Sequence, residues 1–381
     1  MGELSPRIVL DAHIPGAADV FSSIGRVVAL PGHEMDAEAA RNADILIVRS
    51  ITKVDESLLK GSSVRFVGTA TAGIDHLDTE FLSASGIGWA SAPGANADSV
   101  VEYVLGSIAV IAKRSGARWR ERTLGVVGCG QVGERLARRA EDLGMRVLRN
   151  DPPRADMEGA DGFVDLSMLL AESDIVSVHV PLEHDGCYPT WHLVDADGVL
   201  SMRPGAWLIQ SSRGGTVDEQ AAVQARRSGH LGALILDVFE GEPMPDPASV
   251  AAADLATGHV AGYSRDAKRN GVLMIRDAVR RFLGRTAEGA DDAATILGQL
   301  TRPPGFGVDD PAWMDHVLRQ VIDLCSDDAR FRDVIASNEP AEGFHAYRAG
   351  YPARYAWSRY AAWQDARLEE RSMLAALGFR A

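Results

Sequence analysis

Short apolar runs, each followed by a polar or helical stretch, recur along most of this chain and limit the folds open to it. RIVL, VVAL, DILIVRS, RFVGTA and GIGWAS make one series, and TLGVVG, MRVLRN, DIVSVHVP, AWLIQSS, ALILDVFE and LATGH make a second. Strand-length runs alternating with helical segments predict parallel strands joined by crossover helices that cover both sheet faces. The expected fold class is α/β, with two doubly wound parallel-sheet domains. Between the series, DSVVEYVLGSIAVIAKR is too continuously apolar for a surface helix and predicts a buried one running between two domains. Glu102 interrupts it, and it falls short of the ~20 apolar residues that span a bilayer, so no membrane partner is expected.

At 381 residues the chain exceeds one ordinary core, which agrees with two or three domains. A formal net charge of −14 disfavours nucleic acid and anionic membranes as partners. Any anionic ligand must therefore meet a local cluster of cations. Cys129, Cys187 and Cys325 offer neither a disulfide framework nor a C-x-x-C pair, and no H-E-x-x-H or comparable spacing points to a metal. MGELSPRIVL enters a strand-like run without an apolar signal core, so the cytoplasm is the expected location.

Chain order and domain order need not agree. After TGHVAGYS, the stretch RDAKRNGVLMIRDAVRRFL reads as a helix returning across the molecule, and GRTAEGADDAAT (284–295) marks a linker. Beyond it, Pro311 opens a helix in DDPAWMDHVLRQVIDLC and Gly378 stops one in RLEERSMLAALGF. The expected division is residues 1–95 with 260–285, residues 96–259, and a smaller C-terminal domain, 286–381.

In the second series, GVVGCGQVG places Gly128, Gly130 and Gly133 in G-x-G-x-x-G spacing between a strand and a helix. The first glycine permits the tight turn, the second lets backbone approach a pyrophosphate, and the third allows close packing of helix on sheet. Orphan N–H groups at the helix start favour the anion. Asp151 follows the next strand, 18 residues beyond Gly133. A carboxylate there accepts from ribose hydroxyls and disfavours a 2′-phosphate, so NAD is expected over NADP. Arg154 is the contrary sign, as a phosphate partner or as an exposed loop arginine.

SSRGGTVDE, LDVFEGEP and TGHVAGYS each end a strand of the second series. Residues just past the carboxyl ends of parallel strands collect in one crevice, so Arg213, Glu242 and His259 are candidates for a common site. Neutral histidine suits proton transfer, a carboxylate on its other nitrogen orients it, and an arginine fork grips a carboxylate. His179, alternating within DIVSVHV, reads as structural.

At these residues the chain resembles the D-isomer-specific 2-hydroxyacid dehydrogenases. The resemblance covers almost the whole chain and implies a flavodoxin-like substrate domain, a Rossmann NAD domain and a C-terminal dimerisation domain, giving a homodimer. It implies Arg213, Glu242 and His259 as the catalytic group. VRSITKVDESLL, FVGTATAGIDH, NDPPRAD, HVAGY and the tail FHAYRAGYPARYAWSRY look like a branch acting on a phosphorylated small-molecule hydroxy acid. Thr71, Ala72 and Gly73 are implied to face substrate, with polar contacts from Ser50 and Tyr263. Gln131, Val132, Ser211, Ser212, Asp237 and Gly262 are implied to contact NAD. Val180 stands where related chains carry a small hydroxyl residue, which leaves it only a backbone contact. For the phosphate, Arg49 and Lys53 are candidates, the alternative being a solvated loop, and Arg348 and Arg354 are candidates, the alternative being surface ion pairs. Oxidation of another phosphorylated acid, such as 3-phosphoglycerate, and an NAD-gated regulatory binding protein are the competing readings.

Overall fold

A computed structural model describes residues 5–288 and 295–381 of the chain. It divides into two units, the described residues of 1–96 with 264–293, and of 97–263 with 294–381. The expected linker at 284–295 lies partly outside the described residues.

The first unit is a parallel sheet of β1 (Arg7–Asp11), β2 (Arg26–Leu30), β3 (Ile45–Val48), β4 (Phe66–Thr69) and β5 (Gly88–Ala90) in the order β2-β1-β3-β4-β5. This is the flavodoxin-like order. β3 and β4 are buried along their whole length, as strands covered on both faces must be. The returning helix Arg265–Phe282 starts at Ser264, whose side chain accepts from Ala267 N. It reaches the sheet closely: a Cβ on Gly68 would lie 2.4 Å from Ile275 Cγ2, and one on Gly271 would lie 2.8 Å from Ala70 O. Those two glycines let a helix late in the chain belong to the first unit.

The second unit carries β6 (Thr123–Val127), β7 (Arg146–Asn150), β8 (Ile175–Val178), β9 (Trp207–Gln210), β10 (Ala233–Leu236) and β11 (Leu255–Ala256). All pair in parallel, in the order β11-β10-β9-β8-β6-β7. Counted within the unit this is 2-1-3-4-5-6, a doubly wound sheet that lacks the strand outside 2 in the 3-2-1-4-5-6 arrangement and carries one more strand at the opposite edge. The edge outside 2 is reduced to Val164, whose N donates to Arg149 O and whose O accepts from Asn150 Nδ2. The strand order reverses between β6 and β8, where ligands of open α/β sheets bind.

The helix Ala97–Ser115 is buried from Ala97 through Ala112 except at Asp98. The C-terminal residues explain why. Helices Pro311–Arg319, Leu324–Ile335, Pro340–Ala349 and Leu368–Leu377 belong to the same unit. Trp313, Met314, Leu318, Trp357 and Leu374 share one apolar core with Val104, Ile108 and Ile111 of the long helix. Residues 295–381 thus pack as a cover on the second unit. Their different sequence texture marked a boundary but not the surface they cover. Two short strands, β12 (Gly298–Gln299) and β13 (Tyr360–Ala361), pair within this cover. No helix among the described residues is long and apolar enough to cross a membrane.

Because Trp313 is 1% exposed within the shared core, Trp313→Ala should cost about 3–5 kcal/mol. If the cover and the sheet form one cooperative unit, circular dichroism and tryptophan fluorescence should report one transition shifted together. Melting of the C-terminal helices ahead of an unshifted sheet would show that the two are independent.

Candidate active site

The loop after β6 turns as the glycine spacing requires. Gly128 has φ +84, in the left-handed region, and a Cβ on Gly133 would lie 1.9 Å from Gly128 O. Gly133, the first residue of helix Gly133–Asp142, therefore has to lack a side chain if the helix is to sit on the turn. Gly130 faces open space, with no atom within 4 Å of a Cβ placed on it. Val180 forms the wall beside this turn, its Cγ1 being 2.7 Å from where a Gly128 Cβ would stand. Val132 is half-buried at the helix start and Gln131 is exposed.

A cavity of about 380 Å³ opens here, lined by Cys129, Gly130, Gln131, Glu134, Arg135, Arg138 and Arg154. Asp151 Oδ2 accepts from Cys129 N at 2.8 Å, and its Oδ1 accepts from Arg154 N at 3.0 Å. The carboxylate is thereby fixed against the glycine loop. Arg154 is committed elsewhere: Nε and Nη2 pair with Glu158, and Nη1 donates to Glu134 and to Cys129 O. The Glu158 and Glu134 hydrogen bonds hold the Arg154 guanidinium well above its ordinary pKa, and the same bonds occupy Nε, Nη1 and Nη2 with partners from the protein. Ser211 Oγ is buried without a hydrogen-bond partner, whereas Ser212 Oγ donates to Gln210 Oε1. The glycine cradle, the carboxylate at β7 and the orphan Ser211 hydroxyl fit a dinucleotide.

Arg213, Glu242 and His259 follow β9, β10 and β11, three neighbouring strands. His259 Nδ1 lies 2.8 Å from Glu242 Oε2, while Glu242 Oε1 accepts from Phe239 N at 3.0 Å. Both side chains are partly exposed. A carboxylate accepts only, so the Nδ1 proton belongs to this bond, and in the neutral imidazole the lone pair is on Nε2. His259 itself has φ +56, a left-handed conformation costing a non-glycine residue about 1–2 kcal/mol. Asp237 restrains it: the carboxylate accepts from Thr257 Oγ1 at 2.6 Å, Val260 N at 2.9 Å and Ala261 N at 2.9 Å. Burial pushes the Asp237 carboxyl above its ordinary range, against the lowering effect of His259 and these hydrogen bonds.

The arginine loop is held equally firmly. Gln210 Nε2 donates to Arg213 O at 2.9 Å, and Thr216 Oγ1 donates to the same carbonyl at 3.0 Å. A Cβ on Gly214 would lie 1.9 Å from Phe239 O, so the RGG glycine lets the Arg213 loop lie directly on the chain leading to Glu242. Gly262 and Tyr263 are half-buried beyond the histidine. The Arg348 guanidinium stacks 5.4 Å from the Tyr263 ring centroid.

Sequence reading missed several residues that build the site. Tyr103 OH lies 2.7 Å from Thr257 Oγ1, which joins the long helix to the Asp237 network. Gln210, Thr216, Tyr103 and Thr257 carry no motif, because they act through partners distant in the chain. His179 Nε2 lies 2.9 Å from Ser177 Oγ and burial holds its pKa down to about 4, a structural histidine as expected. Arg354, a candidate phosphate cation or surface ion pair, is 5% exposed and donates to two backbone carbonyls, so it is not on the surface.

In the first unit, Ser50 and Thr71 follow the adjacent strands β3 and β4. Thr71 Oγ1 donates to Gly73 O at 2.9 Å, which shapes the Thr71-Ala72-Gly73 loop, and Ser50 is exposed. Arg49 Nε donates to buried Asp11 at 2.7 Å, and Lys53 pairs with Asp55 at 3.0 Å. Among the described residues, His192, Asp218 and Glu240 could offer three metal-ligand atoms within 4.8 Å of one another. They have other duties: His192 pairs with Glu240, and Asp218 caps the helix Glu219–Arg227.

Comparison with known proteins places the chain in a family. Residues 106–261 match the family described as D-isomer specific 2-hydroxyacid dehydrogenase, NAD binding domain. Over nearly its whole length the chain is similar to erythronate-4-phosphate dehydrogenases. The protein of that name from Salinibacter ruber is 46% identical, with 92% of each chain covered. That from Pseudomonas aeruginosa is 42% identical, covering 98% of this chain and 99% of its own. Among solved structures, the TT0316 protein of Thermus thermophilus superposes with a TM-score of 0.62 at 26% identity, over 74% of this chain and 99% of its own. The D-lactate dehydrogenase of Escherichia coli shares the fold, with a TM-score of 0.59 at 22% identity over 74% of this chain and 98% of its own. The chain belongs to the D-isomer specific 2-hydroxyacid dehydrogenases, and it is an NAD-dependent oxidoreductase.

Asp151→Ala should weaken NAD binding by about 1.5–3 kcal/mol and narrow the preference over NADP. Titration of both cofactors checks it, and a parent protein that prefers NADP would overturn the assignment. Arg213→Lys keeps the charge but loses the fork. It should lower kcat/KM by about 2–5 kcal/mol, roughly 30-fold to several-thousand-fold. Undiminished efficiency would remove Arg213 from the carboxylate contact.

Proposed function

We propose that the protein oxidises 4-phosphoerythronate to 2-oxo-3-hydroxy-4-phosphobutanoate with NAD as acceptor, a step in pyridoxal phosphate synthesis. The observation that carries this reading is the His259 Nδ1–Glu242 hydrogen bond on strand ends neighbouring Arg213, in a chain 46% identical to an erythronate-4-phosphate dehydrogenase. Nε2 of His259 removes the proton from the substrate's 2-hydroxyl. Glu242 keeps the ring in the required tautomer and stabilises the imidazolium once the proton has arrived. Arg213 holds the carboxylate through paired charge-assisted hydrogen bonds, fixing the reacting carbon. NAD, when bound along Gly128–Gly133, Asp151 and Ser211, supplies the acceptor for the hydride leaving that carbon.

Arg348 is proposed as a cation for the phosphate. Among the described residues no carboxylate pairs with it, its Nε is buried without a partner, and it stacks on Tyr263 beside the histidine segment. Ser50, the Thr71-Ala72-Gly73 loop, Arg49 and Lys53 are proposed substrate contacts on their strand-end chemistry, and Gln131, Val132, Val180, Ser212, Asp237 and Gly262 as cofactor contacts by position. A cytoplasmic homodimer is also proposed. Three free cysteines suit a reducing compartment, and exposed Leu297, Phe306 and Leu368 on the C-terminal cover suit burial against a second copy.

NADH formation from 4-phosphoerythronate should far exceed that from 3-phosphoglycerate. The opposite order would replace the substrate, and NAD binding without turnover of either acid would favour the regulatory reading. His259→Asn should retain NAD affinity and lose at least ~10²-fold in hydride transfer. Near-normal single-turnover transfer in the folded variant would sink the assignment of the base.

A further inference from the structure

Arg354 lies in YRAGYPARY, beyond the helix Pro340–Ala349, where the sequence suggests an exposed loop, yet it is 5% exposed. Its Nη2 donates to Ser99 O at 2.9 Å and to Ala261 O at 2.8 Å. One carbonyl belongs to the first turns of helix Ala97–Ser115, and the other stands two residues past His259. The Ala261 N–H is already bound to Asp237 Oδ2. This residue is therefore gripped on one side from the sheet and on the other from the C-terminal cover.

The arrangement is not one that stability alone would select. Nε and Nη1 of Arg354 are buried without hydrogen-bond partners, as is Oε2 of Glu102, the carboxylate whose charge faces it. Burial pushes the Glu102 carboxyl up to about 7, and the nearby Arg354 holds it down. Incompletely satisfied buried charges are commonly outperformed in stability by apolar residues of similar volume. The segment held by this arginine includes His259 in its left-handed conformation, and such a conformation persists only where its surroundings over-determine it. The same cover reaches the rest of the segment: Phe331 and Tyr347 back Gly258, and Tyr351 meets Tyr263 edge-on with centroids 6.0 Å apart.

We infer that Arg354 is a positioning residue that sets the His259 ring for proton transfer, making the C-terminal cover part of the catalytic scaffold. This rests on His259 being the base, as proposed above. Misplacing a catalytic group by about 1 Å can cost on the order of 10²-fold. Arg354→Met, which keeps the stem and loses the donors, should therefore lower kcat by roughly 10- to 100-fold while NADH affinity, set mainly at the glycine loop, falls by much less. In nitrogen NMR of labelled histidine, the His259 signal, assigned by its loss in His259→Asn, should lose the signature of the Nδ1–Glu242 hydrogen bond. Arg354→Lys, able to reach one carbonyl, should recover part of both. A folded methionine variant with unchanged kcat and unchanged His259 signal overturns the inference, as does an equal loss of NADH affinity and kcat. If the methionine variant does not fold, the lysine variant decides: intermediate kcat with a shifted His259 signal supports the role, and parental values for both reject it. Failure of the wild-type protein to turn over any 2-hydroxy acid would strike the proposed function, while the NMR comparison would still decide this one.

Discussion

The site depends on one buried carboxylate. Asp237, 1% exposed at the end of β10, accepts from Thr257, Val260 and Ala261. Three donors from one short segment oblige the backbone on either side of His259 to curl around a single point. The left-handed turn that aims the imidazole at Glu242 is therefore a consequence of satisfying a desolvated anion, whose bare burial would cost several kcal/mol. Tyr103 reaches the same network through Thr257, so the long helix shares in the constraint.

The second organising fact is close approach of backbone. Gly133 against Gly128, Gly214 against Phe239 and Gly271 against Ala70 each leave no room for a Cβ. The first seats a helix on the cofactor turn, the second brings the Arg213 loop onto the chain of Glu242, and the third seats the returning helix in the first unit. In each case a missing side chain sets a distance between functional segments.

Electrostatics here is local. A chain with formal net charge −14 still presents arginines to the cavity beside the glycine loop, but they are shared out among carboxylates. Arg154 is bound by Glu134 and Glu158, and Arg138 by Glu134. Pairing of this kind fixes geometry and removes the free charge that a 2′-phosphate would need. Arg348, stacked on Tyr263, is different in having no carboxylate partner among the described residues.

Much of this is legible in the sequence. The apolar rhythm set two parallel sheets, the glycine spacing set the tight turn after β6, and strand-end position put Arg213, Glu242 and His259 after three neighbouring strands, because each rests on periodicity or local backbone chemistry contained in a few consecutive residues. The missing outer strand of the second sheet was not legible, since the Val164 edge keeps its hydrogen bonds without a strand-length apolar run. Arg354 was misplaced for a related reason: a tyrosine- and arginine-rich loop reads as surface until its cover is known. The sequence by itself determined the elements, the glycine turn after β6 and the residues proposed for catalysis. Only the tertiary structure decided that residues 295–381 close over the helix Ala97–Ser115, that Asp237 ties down the histidine segment and that Arg354 is interior, because burial and hydrogen-bond partnership depend on residues as far as 255 positions apart in the chain.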